Sequence, residues 1–277
     1  MNTFQLPSGQ TIPAFGMGTW RMGENPRRQQ QEIAALRRGI ELGVRLIDTA
    51  EMYGEGGAEK VVAKAMGDHR ADLFLVSKVY PHNAAKKGAI AACERSLSRL
   101  NTDYLDLYLL HWRGSVPLAE TLEAFETLKQ AGKIRDYGVS NFDVDDMKAV
   151  DSLGKTGAIA TNQVLYNLTR RGIELDLLPW CQNRAIPVMA YSPIEQGRLL
   201  GNATLTELAS RRGVSEAQIA IAWLLHQAGI IVIHKASQVA HVEQNYAALE
   251  LTLSDREIAT LNKAFPKPTR RIPLEML

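Results

Sequence analysis

The sequence predicts a TIM-type (β/α)8 barrel, and two observations lead to this fold class. Short apolar runs alternate along the chain with longer segments in which apolar residues recur at helical spacing, which indicates a parallel sheet with helical crossovers. Eight such units follow one another, and a barrel of this type typically takes about 250 residues. The chain has 277 residues, 45% of them hydrophobic, and no linker rich in Gly or Ser divides it. We therefore expect one barrel domain over residues 1–277.

The predicted strands are apolar runs of the kind that a parallel sheet buries on both faces. In chain order they cover residues 14–18, 45–47, 73–77, 105–110, 134–139, 159–162, 187–190 and 230–233. The predicted helices have one apolar and one polar face. They cover residues 29–42, 58–66, 84–100, 118–130, 144–152, 174–183, 205–211 with 215–227, and 239–249.

Both ends of the chain carry elements outside the predicted barrel. Residues 3–6 and 10–12 flank Pro7-Ser8-Gly9 and form a predicted N-terminal hairpin that closes the barrel bottom. Ser254 and Glu257 have the spacing of a capping box, which predicts a late helix. Residues 262–277 contain three prolines and are predicted to form an irregular C-terminal tail.

Composition and charge exclude several classes of function. The 32 basic and 30 acidic residues leave a net charge of +2, so we expect no nucleic-acid or membrane partner. The two cysteines, Cys93 and Cys181, lack the spacing of a disulfide or zinc framework, which indicates a reducing, cytoplasmic compartment. Residues 1–10 lack the cationic start and apolar core of a signal peptide. The apolar segment 217–233 is interrupted by polar residues and is interpreted as a buried helix and strand.

Residues 43–54 contain the most informative local pattern. The apolar run ends at Asp48, and Tyr53 follows in a turn marked by Gly54. A carboxylate at the end of a buried strand and a phenol on the next loop can face one pocket. Alternatively, Asp48 caps the next helix and Tyr53 covers a loop, and this stretch alone does not decide between the two interpretations.

Polar side chains follow nearly every predicted strand, at the barrel face where catalytic groups of this fold lie. They are Asp48, Lys78, His111, Ser140, Asn141, Gln163, Tyr191, Ser192 and Lys235. Taken singly, Lys78 is more simply a surface lysine, and His111 a hydrogen-bonded core histidine. Their joint placement is hard to explain as packing, because each would be an unpaired polar group beside a buried strand. The pattern therefore predicts a catalytic mouth.

These residues also stand in motifs that resemble those of a known family. Asp48-Thr49-Ala50-x-x-Tyr53-Gly54, Ser77-Lys78 and Leu110-His111-Trp112 resemble the catalytic tetrad of the aldo-keto reductases. Four further segments resemble the cofactor-binding segments of that family, in family order: 138–142, 162–164, 191–193 and 235–237. The resemblance runs from Gly16 to about Leu261 and is strongest to small bacterial members that reduce aldehydes such as methylglyoxal.

The resemblance implies an NADPH-dependent oxidoreductase that reduces small aldehydes and 2-oxoaldehydes to alcohols by hydride transfer. Tyr53 would donate the proton, although a free phenol has a pKa of about 10. Lys78 would lower that pKa, and Asp48 would pair with Lys78. Neutral His111 would donate a hydrogen bond to the substrate carbonyl oxygen. No metal is implied, and the family default is a monomer.

The resemblance also implies binding residues. For NADPH these are Gly18, Thr19, Trp20, Asp48, Ser140, Asn141, Gln163, Tyr191, Ser192, Pro193, Gly197, Lys235, Ser237, His241, Gln244 and Asn245. For the substrate they are Trp20, Tyr53, Tyr80, His111 and Trp112. The sequence departs from the family pattern at His234, where proline is expected, and at His241, where many members have arginine. The loop 113–117 and the C-terminal tail are short, which predicts a small and open pocket.

Three alternatives to this function were considered. A Rossmann dehydrogenase is not supported, because Arg21 stands at the third glycine position of the motif that begins at Gly16. A short-chain reductase is not supported either, because the chain has no Tyr-x-x-x-Lys pair. A non-catalytic or weakly catalytic NADPH sensor on the same barrel stays open, although Tyr53 and Lys78 argue against it. The sequence does not identify the physiological carbonyl substrate, the reaction direction in the cell or the strictness of the NADPH preference.

Overall fold

The structure, a computed structural model that describes residues 2–277, contains a closed barrel of eight parallel strands. A two-stranded antiparallel hairpin, β1 (Thr3–Gln5) and β2 (Thr11–Pro13), precedes it. The barrel strands are β3 (Phe15–Gly18), β4 (Leu46–Asp48), β5 (Phe74–Val79), β6 (Leu105–Leu110), β7 (Ile134–Ser140), β8 (Ile159–Leu165), β9 (Val188–Tyr191) and β10 (Ile230–His234). The predicted fold class and its eight strands are confirmed.

Ten α-helices surround and follow the barrel within residues 2–277. They are α1 (Gln29–Leu42), α2 (Gly57–Met66), α3 (Lys86–Leu100), α4 (Leu118–Gln130), α5 (Val144–Ser152), α6 (Leu177–Gln182), α7 (Ala203–Arg212), α8 (Glu216–His226), α9 (Val239–Ala247) and α10 (Asp255–Ala264). The predicted start of α6 at residue 174 is wrong, because Asp176 caps a helix that begins at Leu177. Pro179 has no N–H and fits only in the first turn of that helix.

The barrel closes because β10 pairs with β9 on one side and with β3 on the other. The strand register brings the polar residues at the strand ends to one level. Gly18 lies opposite Asp48, and Ser140 lies opposite Gln163. The barrel interior below them is filled by apolar side chains, among them Leu46. Polar side chains on consecutive strand ends therefore share one face of the molecule.

The N-terminal hairpin closes the other end of the barrel, as predicted. Leu6 and Ile12 are buried and pack into the same apolar cluster as the side chains of the barrel interior. On the turn of the hairpin, the backbone N–H of Ser8 donates to Asp136 Oδ1 at 3.1 Å, and its hydroxyl donates to the same carboxylate. Asp136 is completely buried, and Lys129 Nζ lies 3.2 Å from it. The hairpin is thus attached by both apolar packing and charged groups.

The tail after α10 lacks regular secondary structure, as predicted, but it is well attached to the barrel. Arg271 forms ion pairs with Asp145 at 3.2 Å and with Asp176 at 2.7 Å. Ile272 covers Gly172, where a Cβ atom would come within 2.9 Å of the isoleucine side chain. The tail thereby returns to the end of the barrel that carries the polar strand ends. Over residues 2–277, no helix combines the length and apolar character that crossing a membrane requires.

Candidate active site

A cleft of about 530 Å³ opens at the carboxyl ends of the barrel strands. Its walls combine the polar strand ends with aromatic and aliphatic side chains from the loops. Of the predicted site residues, the walls include Gly18, Trp20, Asp48, Tyr53, His111, Trp112, Ser140, Asn141, Gln163, Tyr191, Ser192, Pro193, Gly197, Lys235, Ser237 and His241. This is the position at which barrels of this type carry their active sites.

Lys78 lies beneath the floor of the cleft and has no solvent exposure. Its ammonium donates to Asp48 Oδ2 at 2.8 Å, to the Thr49 carbonyl oxygen at 2.9 Å and to the Tyr53 hydroxyl at 3.3 Å. The second oxygen of Asp48 accepts a hydrogen bond from Gln163 Nε2 at 2.9 Å. Every donor of the buried ammonium therefore has an oxygen partner, as a buried charge requires.

The surroundings of these groups fix their protonation. Burial, with a smaller contribution from Asp48, raises the pKa of Tyr53 well above its ordinary value, so the phenol stays protonated. The net direction is opposite to the predicted lowering by Lys78, because burial outweighs the neighbouring ammonium. Burial also lowers the pKa of Lys78 from its ordinary value, which Asp48 opposes. Burial first, and Lys78 second, lower the pKa of His111 well below its ordinary value, so this imidazole is neutral.

Tyr53 is positioned by a tight loop between β4 and α2. Gly54 has φ of +56°, and a Cβ atom there would lie 3.0 Å from the carbonyl oxygen of Met22. Glu51 fixes the other side of the loop, because its Oε1 accepts from the backbone N–H of Tyr80 at 2.8 Å. The ring of Tyr53 lies edge-on to the imidazole of His111, with 5.6 Å between the ring centroids. A protonated phenol and a neutral imidazole thus face the same space.

A second set of polar side chains lines the cleft beside Tyr53 and His111. Ser140 Oγ donates to the backbone oxygen of Gln163 at 2.9 Å, and Asn141 Nδ2 donates to the backbone oxygen of His111 at 3.1 Å. The Tyr191 hydroxyl donates to Asn141 Oδ1 at 2.9 Å. Asn141 adopts a left-handed backbone with φ of +57°. The arrangement presents amide and hydroxyl groups next to a flat aromatic ring, which suits a planar ligand with an amide substituent.

The far end of the cleft is cationic. Lys235 is exposed there, and Ser237 and His241 follow it on the same wall. Arg21 lines the same cleft, and its guanidinium carbon lies 4.5 Å from the ring centroid of Trp20. Arg21 is also close enough to Lys235 to act on it electrostatically. Cations and a hydroxyl of this kind can bind phosphate groups.

The comparison with known proteins agrees with this geometry. The profile of the Aldo/keto reductase family matches residues 14–265 of the chain. Over 278 residues the chain is 54% identical to methylglyoxal reductase YeaE of Escherichia coli (strain K12), covering 99% of this chain and 98% of that protein. The chain belongs to the aldo/keto reductase family. The resemblance identified from its motifs is thereby confirmed.

Two further proteins extend the comparison for this aldo/keto reductase. Glyoxal reductase of Bacillus subtilis (strain 168) is 35% identical, covering 95% of this chain and 93% of that protein. The crystal structure of an aldo-keto reductase from Klebsiella pneumoniae in complex with NADPH has a TM-score of 0.96 and 50% identity, covering 100% of this chain and 99% of that one. The fold of this family member is therefore that of a reductase crystallised with NADPH.

Two predicted site residues of this aldo/keto reductase support the cleft without lining it. Thr19 is completely buried, and its hydroxyl donates to the backbone oxygen of Asp48 at 3.0 Å. Tyr80 packs behind Trp112, with 5.0 Å between the ring centroids. Tyr80 is not among the residues of the cleft walls, so its assignment to the substrate pocket stays a prediction.

The predicted adenine-side residues Gln244 and Asn245 also lie outside the cleft walls. Asn245 is buried, and its amide nitrogen lies 3.1 Å from Nδ1 of the buried His234. The Asn245 amide is therefore already engaged inside the protein, between α9 and the end of β10. Gln244 is exposed on α9.

The sequence reasoning missed several residues of the cleft walls. Arg21 was considered only as the residue that breaks a glycine motif, although its place after Gly18-Thr19-Trp20 is a usable signal. Met52 lines the cleft beside Tyr53, and Met276 and Leu277 line it from the C-terminal tail. The short tail therefore contributes to the cleft walls, and the small and open pocket stays a prediction. Among residues 2–277, no group of three or more His, Cys, Asp and Glu side chains is arranged to hold a metal ion.

Proposed function

We propose that this aldo/keto reductase uses NADPH to reduce small aldehydes and 2-oxoaldehydes to alcohols. The observation that carries the proposal is the convergence of Tyr53, Lys78, Asp48 and His111 on one cleft, with the Lys78 ammonium 3.3 Å from the Tyr53 hydroxyl. The names of the methylglyoxal and glyoxal reductases among its relatives support the substrate class. The NADPH complex of the Klebsiella pneumoniae protein supports the cofactor.

The residues present fit NADPH. Ser140, Asn141 and Gln163 would hold the carboxamide, and the Tyr191 ring would stack on the nicotinamide. When bound, the cofactor supplies the hydride. Lys235 and Ser237 would bind the adenosine phosphate, where a cation and a hydroxyl lie on one wall of the cleft.

Tyr53 would donate the proton that the developing alkoxide needs, because its phenol is protonated at neutral pH and lines the cleft beside His111. Lys78 holds the phenol through its hydrogen bond, and Asp48 keeps the lysine in place. His111, neutral because of its lowered pKa, retains an N–H that can donate to the substrate carbonyl oxygen. Reduction therefore requires no change in the protonation of His111.

The mouth of the cleft favours small substrates with an apolar part. Trp20, Met52, Trp112, Met276 and Leu277 line it. These side chains surround the phenol and imidazole with apolar surface, which excludes water and strengthens the polar interactions within. Pocket size alone gives modest discrimination, since a missing methylene changes binding by about 1–3 kcal/mol.

Tyr53→Phe tests the proposal. The variant should reduce methylglyoxal about 100- to 10,000-fold more slowly, because it loses the general acid. NADPH affinity, measured by cofactor fluorescence, should stay within about twofold of wild type, since the hydroxyl is proposed to act on the substrate. A variant that keeps more than a tenth of the wild-type kcat, with the chemical step rate-limiting, contradicts the assignment. A wild type that binds NADPH without reducing any of a panel of aldehydes, aldoses and ketones is instead the non-catalytic sensor.

We also propose that the protein acts as a monomer in a reducing, cytoplasmic compartment, with no nucleic-acid or membrane partner. The near-balanced charge of +2 supports the absence of a polyanionic partner. Cys93 and Cys181 are buried, unpaired thiols, which supports the reducing compartment. Light scattering of the purified protein tests the oligomeric state.

A further inference from the structure

The loop that follows β9 forms one wall of the cleft in a strained conformation. Ser192, Glu195 and Gln196 have φ of 53°, 50° and 56°, although none of them is glycine. Left-handed backbone at such residues persists only where the surrounding structure holds it in place. Ser192 and Gln196 line the cleft, on the wall proposed to carry the cofactor. The position of this wall therefore depends on what anchors the loop.

Glu195 is that anchor. Its side chain lies outside the cleft walls and is only 5% exposed. Oε2 accepts from Asn167 Nδ2 at 2.7 Å, and Oε1 accepts from Arg170 Nε and Nη2 at 3.0 Å and 2.8 Å. Arg198 Nη2 adds a further contact at 3.1 Å. The carboxylate thus holds the loop through two hydrogen bonds from Arg170.

The remaining terminal nitrogen of Arg170 serves a different segment. Its Nη1 donates to Glu275 Oε1 at 2.5 Å, on the C-terminal tail. Met276 and Leu277 follow directly and line the mouth of the cleft. One guanidinium therefore binds both the loop on the cofactor side and the tail on the substrate side.

The tail depends on such contacts because it spans a second cavity. This cavity has a volume of about 380 Å³ and is lined by Arg170, Asp145 and Asp176 from the barrel side and by residues 271–275 of the tail. This part of the tail is held by the charged contacts of Arg271 and Glu275, together with the packing of Ile272 and Leu274. Because a cavity lies beside it, loss of one charged contact leaves this segment with few others.

We propose that Arg170 is a positioning residue that couples cofactor binding on the 192–201 loop to closure of the C-terminal tail over the substrate mouth. The coupling rests on the proposed function, since it requires NADPH to contact that loop. A cofactor that fixes the loop fixes Glu195, and Arg170 then presents a fixed partner to Glu275. By reciprocity, a fixed tail strengthens cofactor binding by the same factor.

Hydrogen exchange of the tail amides, with and without saturating NADPH, tests this coupling. In the wild type, NADPH should slow amide exchange in residues 270–277 by about fivefold or more. A factor of about five is the lower end of the range that coupling between two binding sites typically produces. In Arg170→Gln, saturating NADPH should produce less than half of that protection. The KM for methylglyoxal should rise several-fold with a smaller change in kcat, because the mouth is left unformed while Tyr53 and Lys78 are unaffected.

Two matched variants separate the halves of the link. Arg198→Gln removes a contact to Glu195 that does not involve the tail, and it should retain the cofactor-dependent protection. Arg271→Gln removes the ion pairs to Asp145 and Asp176, so it should speed tail exchange in the free protein yet also retain the NADPH effect. Circular dichroism and thermal unfolding identify a variant that fails to fold. Glu275→Gln, which changes only the tail side of the link, then replaces Arg170→Gln.

Cofactor-free measurements keep this inference distinct from the proposed function. Glu195→Gln should speed exchange of the tail amides in the free protein, and it should add nothing when Arg170→Gln is already present. If the wild type binds NADPH and tail protection persists in Arg170→Gln, the coupling through Arg170 is refuted. If the wild type fails to bind NADPH, the proposed function fails, and the Glu195→Gln comparison alone decides whether Arg170 links the two segments.

Discussion

At the residue scale, the side chains of the floor of the cleft differ in how well the sequence predicted them. Asp48, Tyr53 and His111 follow strand ends, and the barrel rule places them at one mouth. The contact of Lys78 with Asp48 is the one that the family resemblance implies. The complete burial of Lys78 depends on the register of β4 and β5, which no local pattern reveals. Leaving one charge of such a buried pair alone costs about 3–5 kcal/mol. The protonation of Lys78 could not be predicted from the sequence either, because the pKa of the lysine depends on how deeply it is buried.

Lys235 is the residue on which we expect the NADPH preference to depend. Lys235→Met should weaken NADPH binding by roughly 10- to 150-fold, because a charge-assisted hydrogen bond contributes about 1.5–3 kcal/mol. NADH lacks the 2′-phosphate, so its affinity should be nearly unchanged. Fluorescence titration of both cofactors against wild type and variant measures the effect. Equal affinity for the two cofactors in the wild type, or equal losses in the variant, would refute the site.

At the scale of elements, His234 joins β10 to α9. Burial lowers the pKa of His234 to about 3, and its neutral Nδ1 accepts from the Asn245 amide at 3.1 Å. Lys235 and Ser237, between these residues in sequence, are the proposed phosphate ligands. The family resemblance marks His234 as unusual, because proline is expected at this position. The structure gives it a partner inside the protein.

The buried His234 between β10 and α9 makes the free energy of unfolding dependent on pH. The folded pKa of His234 lies below the unfolded value of about 6.5, so its contribution is complete above pH 6.5 and falls as the pH approaches 3. Relative to His234→Gln, the wild type should lose about 2 kcal/mol of unfolding free energy between pH 7.5 and 5. Urea titrations at both pH values measure this difference. A difference that does not change with pH would show that the pKa of His234 is the same in the folded and the unfolded protein.

The N-terminal hairpin is an element whose packing was predicted from pattern alone. Ile12 is completely buried against the interior of the barrel. Ile12→Ala should lower the free energy of unfolding by about 2–5 kcal/mol, the usual cost of such a cavity, and leave kcat unchanged because the cleft is at the other end. Thr11→Ala, at an exposed neighbouring position, is the control. A loss of kcat with unchanged stability would contradict this separation of the two ends.

At the scale of the whole molecule, alternation of strands and helices was sufficient to predict the barrel. The path of the tail was not predictable, because it depends on Arg271, Glu275 and partners more than 90 residues away in sequence. Contacts of that kind leave no periodic signal. We propose that residues 1–277 form one domain, since strands from both ends of the chain pair in closing the barrel.

A single domain should unfold as one unit. Fluorescence and circular dichroism should give coincident urea transitions, because β3 and β10 close one sheet and neither half of the barrel can bury its strands alone. The test is whether one midpoint and one slope fit both probes. Two separate transitions would show that the chain contains independently stable parts.

Closure of the barrel also affects how copies of this protein meet one another. Each barrel strand, β3 to β10, has a hydrogen-bonded neighbour on both sides, so the sheet offers no free edge to a second molecule. Among residues 2–277, the strands with an open side are β1 and β2, each only three residues long. Edge-to-edge aggregation of the folded protein therefore has little backbone from which to start. Aggregation is instead expected from partly unfolded chains, because separation of β10 from β3 exposes one unpaired strand edge on each of them.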